Sequence, residues 1–145
     1  VKRWSSSFGL FSVKLKLELQ LALAEFLAAG NLRQAMIEKT ISEIEAKISG
    51  AESVGPARKQ ELLKLLATLK AEVAELSKTN GEQADSIAGF AQLSAHEATR
   101  AEQNPLLREL SLQGLRSSVE DLEQSHPQLT QIVNRISKTL SDLGI

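Results

Sequence analysis

From Met36 onward the chain places apolar residues three and four positions apart, segment after segment, and nothing else in it constrains the fold as strongly. That spacing gathers apolar side chains on one face of an α-helix, whereas a half-buried strand needs strict alternation. The first run, MIEKTISEIEAKISG, sets Ile37, Ile41, Ile44 and Ile48 in one stripe. Glu43 and Lys47 stand four apart in the order that favours an ion pair along a helix. Gly50 is a natural stop, and Gly55-Pro56 opens the next segment with proline at a first helical position. The second helix, about residues 57–78, carries Leu62, Leu66, Leu69, Val73 and Leu76. Leu63 and Leu65 widen its apolar arc, so it is expected to meet more than one neighbour.

Thr79-Asn80-Gly81-Glu82 turns the chain. Asn-Gly suits a left-handed helix end, and Thr79 with Glu82 matches a capping box for the next helix. The third helix, about 84–103, differs in kind: Ala84, Ala88, Ala91, Ala95 and Ala98 make a seam of small residues flanked by Ile87 and Phe90. Little side-chain volume separates two backbones that meet across such a seam, so they can approach closely. Asn104-Pro105 supplies an N-cap and a first helical proline for a fourth helix, whose stripe is Leu112, Leu115, Val119 and Leu122. Ser125-His126-Pro127 ends it, since proline disfavours helical geometry at the residue before it. The last stripe is Leu129, Val133, Ile136, Leu140 and Leu143, with Gly144 in a left-handed closing position and Ile145 folding back on Leu140. The expected fold class is all-α: an antiparallel helical hairpin or a small helical bundle with coiled-coil-like seams. Narrow stripes bury limited area in a monomer, which points to self-association with the alanine seam at the contact.

Residues 1–35 read differently. In SVKLKLELQLALAEF, Val13, Leu15, Leu17, Leu19, Leu21 and Leu23 alternate like a strand, yet the residue types are mostly strong helix formers. One strand without a partner leaves its backbone groups unpaired, and as a helix the leucines spread over two faces. Of the five aromatic residues, Trp4, Phe8, Phe11 and Phe26 lie here and only Phe90 lies beyond. Five basic residues against Glu18 and Glu25 give this stretch net +3, leaving −4 for residues 36–145 out of a total of −1. Met36 is the single methionine and position 1 is Val. These shifts divide the chain into a leader of doubtful status, 1–35, and one all-helical domain, 36–145, with the functional protein expected to start at Met36. Lys14, Lys16 and Glu18 interrupt the apolar run that a signal peptide needs. Attachment to a membrane surface through residues 1–35 is the remaining role for the leader.

The chemistry-bearing residues are sparse. There is no cysteine, which removes disulfides, thiolate catalysis and Cys-built zinc sites and fits a cytoplasmic protein. His96-Glu97 begins HEATR, which lacks the second histidine of a zinc-binding HExxH helix. His96 falls with Asp85, Gln92 and Arg100 on the helix face away from the alanines, a solvated polar face; a ligand or metal contact through His96 and Arg100, with His126, is the alternative. His126 reads as a turn residue. Net charge is near zero and no basic stripe interleaves with aromatics, so nucleic acid is not an expected partner.

The ending SSVEDLEQSHPQLTQIVNRISKTLSDLGI resembles a bacterial family of small helical proteins, domain of unknown function 4404. The likeness lies in the acidic stretch Glu120 to Glu123, the Ser125-His126-Pro127 turn, the aliphatic helix Leu129 to Leu143 and the Gly144-Ile145 terminus. MIEKTISEIEAKI also fits a family start, so the resemblance covers about residues 36–145. IAGFAQLSAHEATRAEQNPLLRELSL looks inserted relative to the compact family form, which leaves the path between residues 84 and 112 open. The resemblance implies fold and boundaries and carries no catalytic residues. The reading is therefore a helical protein acting by association with itself or another helical protein, without cofactor, metal or catalysis.

Overall fold

The computed structural model describes residues 2–143, with side chains described from Gly9 onward. Five α-helices follow in order: α1 (Lys2–Gly50), α2 (Pro56–Leu76), α3 (Gly81–Thr99), α4 (Pro105–Ser117) and α5 (Pro127–Asp142), with a short 3₁₀ helix (Glu120–Leu122) before α5. No strand occurs among the described residues. The strand-like alternation of residues 12–26 is thus overridden by helix propensity, since a lone strand has no edge to bond to. The chain divides into two compact units, Val1–Leu32 and Arg33–Ile145. The first is a single helix over its described residues, and Leu10 through Leu32 stand exposed along it.

Within Arg33–Ile145 the direction of each helix follows from its polar contacts. Arg33 meets Asp85 at 3.2 Å, Gln92 donates to Glu43 at 3.4 Å, and Lys47 Nζ lies 2.7 Å from His96 Nδ1. Residue numbers rise together on both sides, so this stretch of α1 runs parallel to α3. Glu45 on the same stretch pairs with Lys70 of α2. Arg58 Nη1 donates to the Asp142 carbonyl at 2.9 Å and Arg135 pairs with Glu61 at 3.8 Å, which sets α2 and α5 antiparallel. Gln83 Nε2 donates to the Ser118 carbonyl at 3.2 Å and to Asp121 at 2.7 Å, which sets α3 and α4 antiparallel. Consecutive helices alternate in direction, as short connections require.

The core between them is aliphatic. Ile41, Ile48, Leu69, Val73, Ile87, Leu112, Leu115, Leu129 and Val133 are fully buried, and each such side chain contributes about 1.5–3 kcal/mol relative to an exposed one. All members of the Ile37, Leu62 and Leu129 stripes are buried, with Leu143 half-buried at the end. Ala84, Ala88, Ala91, Ala95 and Ala98 are buried too, on a helix that packs against α2, α4 and α5. The seam is consumed inside the unit, which corrects its expected place at a contact between copies.

Local chemistry moves several boundaries. Asn80 caps α3, its side-chain oxygen accepting from Gln83 N at 3.3 Å; the expected Thr79–Glu82 box does not form because Thr79 Oγ1 donates to the Leu76 carbonyl instead. No described residue has positive φ, so neither Asn80-Gly81 nor Gly50 uses a left-handed conformation. The Gly144 and Ile145 closure lies outside the described residues. α3 ends at Thr99, short of the expected 103: Arg100 is extended, and Gln103 Nε2 takes the freed Ala98 carbonyl at 2.8 Å. Asn104 caps α4 by accepting from the Leu106 and Leu107 amides. That helix stops at Ser117 rather than continuing through Val119 and Leu122. Ser118 Oγ turns back to the Leu115 carbonyl at 2.6 Å, the local competition that makes serine a poor helix interior, and the 3₁₀ turn then carries Val119 and Leu122 into the core. Glu43 and Lys47 reach across to Gln92 and His96 of α3 rather than to each other.

Candidate association surface

The residues that could carry chemistry are tied up separately. His96, exposed, takes Lys47 at 2.7 Å; Arg100 Nη1 donates to Glu97 Oε2 at 2.9 Å; His126 Nδ1 lies 3.0 Å from Ser125 Oγ. His96 and Arg100 share a helix but turn to different partners. Asp85, Gln92 and His96 form a polar seam against Arg33, Glu43 and Lys47 of α1, so the face expected to be solvated is partly an interhelical contact. The sequence held one signal of this: Glu43 and Lys47 share the four-residue spacing of Gln92 and His96. Glu97 is 5% exposed, a buried carboxylate without a sequence signal, neutralised by Arg100. Ser125 and His126 hold the turn before Pro127; the His126 amide donates to the Leu122 carbonyl at 2.7 Å, and His126 is the N-cap residue of α5. No group of three or more His, Asp or Glu able to hold a metal ion occurs among the described residues.

Several large apolar side chains of the unit stay exposed among its polar ones. α4 has two apolar sides because its leucines fall in two sets. Leu112 and Leu115 point inward, while Leu106, Leu107 and Leu110 are 67%, 43% and 53% exposed. On α3, Phe90 and Leu93 lie off the alanine stripe and are partly exposed as well. The Phe90 ring sits over Gly114, so close that a Cβ there would collide with it. Antiparallel register from that contact puts Leu93 level with Leu110. Phe90, Leu93, Leu107 and Leu110 therefore form one apolar face along the α3–α4 pair. At one end it meets an open groove lined by Glu82, Gln83, Ser86, Ser117, Ser118 and Asp121. This face was not legible in the sequence, because the regular helical stripes are those that fill the interior and Leu106, Leu107 and Leu110 fall outside them.

Arg33–Ile145 is thus a small up-and-down helical bundle whose candidate site is an apolar helix face rather than a polar cleft. Residues 62–145 match the family model described as Domain of unknown function (DUF4404), and the chain belongs to that family. The match begins within α2, so it is narrower than the 36–145 implied by the resemblance, and it contains the inserted-looking segment. No curated protein matches the chain, and no solved structure does. No helix among the described residues is long and apolar enough to cross a membrane.

Proposed function

We propose that this protein acts in the cytoplasm through helix–helix association, with further copies of itself or with another helical protein, and that it catalyses no reaction. The observation that carries this is the α3–α4 face: Leu106, Leu107 and Leu110 remain exposed beside a core that is otherwise closed. Contiguous apolar surface of this kind marks sites that another apolar surface covers. Supporting it, His96, Arg100 and His126 spend their hydrogen bonds on Lys47, Glu97 and Ser125 and do not converge.

Sedimentation velocity from low to high micromolar concentration tests the self-association form. The weight-average mass is expected to rise with concentration, and Leu107→Glu/Leu110→Glu is expected to shift that rise to higher concentration while leaving the helical circular dichroism unchanged. A chain that stays monomeric across the range refutes self-assembly.

A further inference from the structure

The apolar face on α3 and α4 lies in the acidic part of the chain. From Gly81 to Glu123 there are eight carboxylates, three arginines and no lysine, whereas the whole chain stands at −1. Three of the eight are neutralised: Glu97 by Arg100 at 2.9 Å, Glu109 by Arg116 at 3.1 Å and Asp85 by Arg33 at 3.2 Å. The remaining arginine of the stretch, Arg108, donates from its guanidinium to the Gln103 side-chain oxygen at 2.6 Å. Glu82, Glu120 and Asp121 line the groove at one end of the face, and Glu102 lies in the α3–α4 loop at the other; none of them pairs with a cation among the described residues. Leu93, Leu106, Leu107 and Leu110 thus stand between two ends of one sign.

We infer that the α3–α4 face takes a basic amphipathic helix of another protein, its apolar side chains on Phe90, Leu93, Leu107 and Leu110 and its lysines or arginines over Glu82, Glu120 and Asp121. The inference rests on the association reading above and chooses between its two partners. A second copy meets this face poorly. With like ends together, a twofold pair sets the groove carboxylates of one copy against those of the other. With ends exchanged, it lays Leu106, Leu107 and Leu110 over those carboxylates. Either arrangement takes charge out of water without an opposite charge to receive it, so it forms only at high concentration. A helix with apolar anchors at i, i+3 or i+4, and i+7, flanked by basic residues, meets both parts of the surface. Its length follows from the face. Leu106 to Gly114, the residue under Phe90, is eight positions. That is about 12 Å, so about two turns of a partner cover the apolar part and a further turn reaches the groove. The same charge turns away anionic lipid and nucleic acid, whose phosphates would meet carboxylates.

Fluorescence anisotropy on the full chain with two synthetic helices is the test. Both are about five turns long with leucine along one face; one carries lysine on both flanks of the leucines, the other glutamate at the same positions. The lysine helix is expected to bind at least about tenfold tighter at ~50 mM salt, with the gap narrowing towards ~500 mM as the charges are screened. Glu82→Gln/Glu120→Gln/Asp121→Asn is expected to remove most of that preference, while Glu72→Gln/Glu75→Gln on α2 leaves it in place. Leu107→Ser/Leu110→Ser is expected to abolish binding of both helices with unchanged circular dichroism. Equal binding of the two helices overturns the basic partner and leaves the association reading standing. So does a preference that survives the groove substitutions, or that falls equally with those on α2. Lysine-helix binding that survives Leu107→Ser/Leu110→Ser overturns the apolar face as its seat. A chain that is monomeric at every concentration yet takes the lysine helix in the expected pattern supports the inference and loses only self-assembly. One that neither self-associates nor binds either helix overturns both readings.

Discussion

Ile41→Ala tests whether the Arg33–Gly50 stretch of α1 belongs to the folded core, a stretch that precedes the family-matched residues. Ile41 is 0% exposed, between Ile37 and Ile44, which are 3% exposed each. The substitution removes three carbon atoms, worth about 2.4 kcal/mol at ~0.8 kcal/mol each. The vacated space adds about 1–2 kcal/mol, because surrounding helices relax only partly into a hole, for a total of roughly 3–4 kcal/mol. Set against a typical domain stability of about 5–15 kcal/mol, that is a large fraction. The melting temperature should fall by roughly 10–20 °C for a unit of this size. Ile41→Val, which removes one carbon, should cost about 0.5–1.5 kcal/mol and fall between. Leu17→Ala is the control: Leu17 is 54% exposed in Val1–Leu32, so truncation should leave the midpoint of the Arg33–Ile145 transition within about 0.5 kcal/mol. The assay is urea unfolding followed by far-ultraviolet circular dichroism, at a fixed low protein concentration so that association does not enter the midpoint. An Ile41→Ala protein within about 1 kcal/mol of the parent would mean that the isoleucine stripe is not packed, and the account of α1 would fail.

Three further substitutions separate neighbouring explanations. Asn80→Ala removes the oxygen that accepts from the Gln83 amide and should cost about 1 kcal/mol, while Thr79→Ala should cost only a few tenths; the reverse order would restore the capping box that the structure lacks. Ala91→Leu adds a branched side chain where exposure is 2% and should destabilise by about 1–3 kcal/mol, measured as a lower urea midpoint at unchanged slope, whereas a neutral or stabilising result would show slack in the seam.

Helix positions and inward faces were legible because they depend on spacing within one segment. Ile37 to Ile48, Leu62 to Leu76 and Leu129 to Leu140 recur at the helical period, and those side chains lie in the core. Boundaries were less legible where a side chain had two partners to choose from. Thr79 and Asn80 both can cap, and only the geometry of the α2 end shows Thr79 bonding backward and Asn80 forward. Ser118 likewise ends α4 by taking the Leu115 carbonyl, an outcome that the unbroken rhythm through Val119 and Leu122 concealed.

By itself the sequence determined that residues 36–143 form successive helices, and which side of most of them turns away from water. Periodicity is a property of a single helix, and burial follows from it wherever one stripe dominates. The tertiary structure alone decided what each face meets. It closed the alanine seam inside the unit, turned Asp85, Gln92 and His96 toward α1, and left Leu106, Leu107 and Leu110 largely exposed. Those outcomes depend on how many helices gather and in which directions they run, and no single segment encodes its neighbour's position.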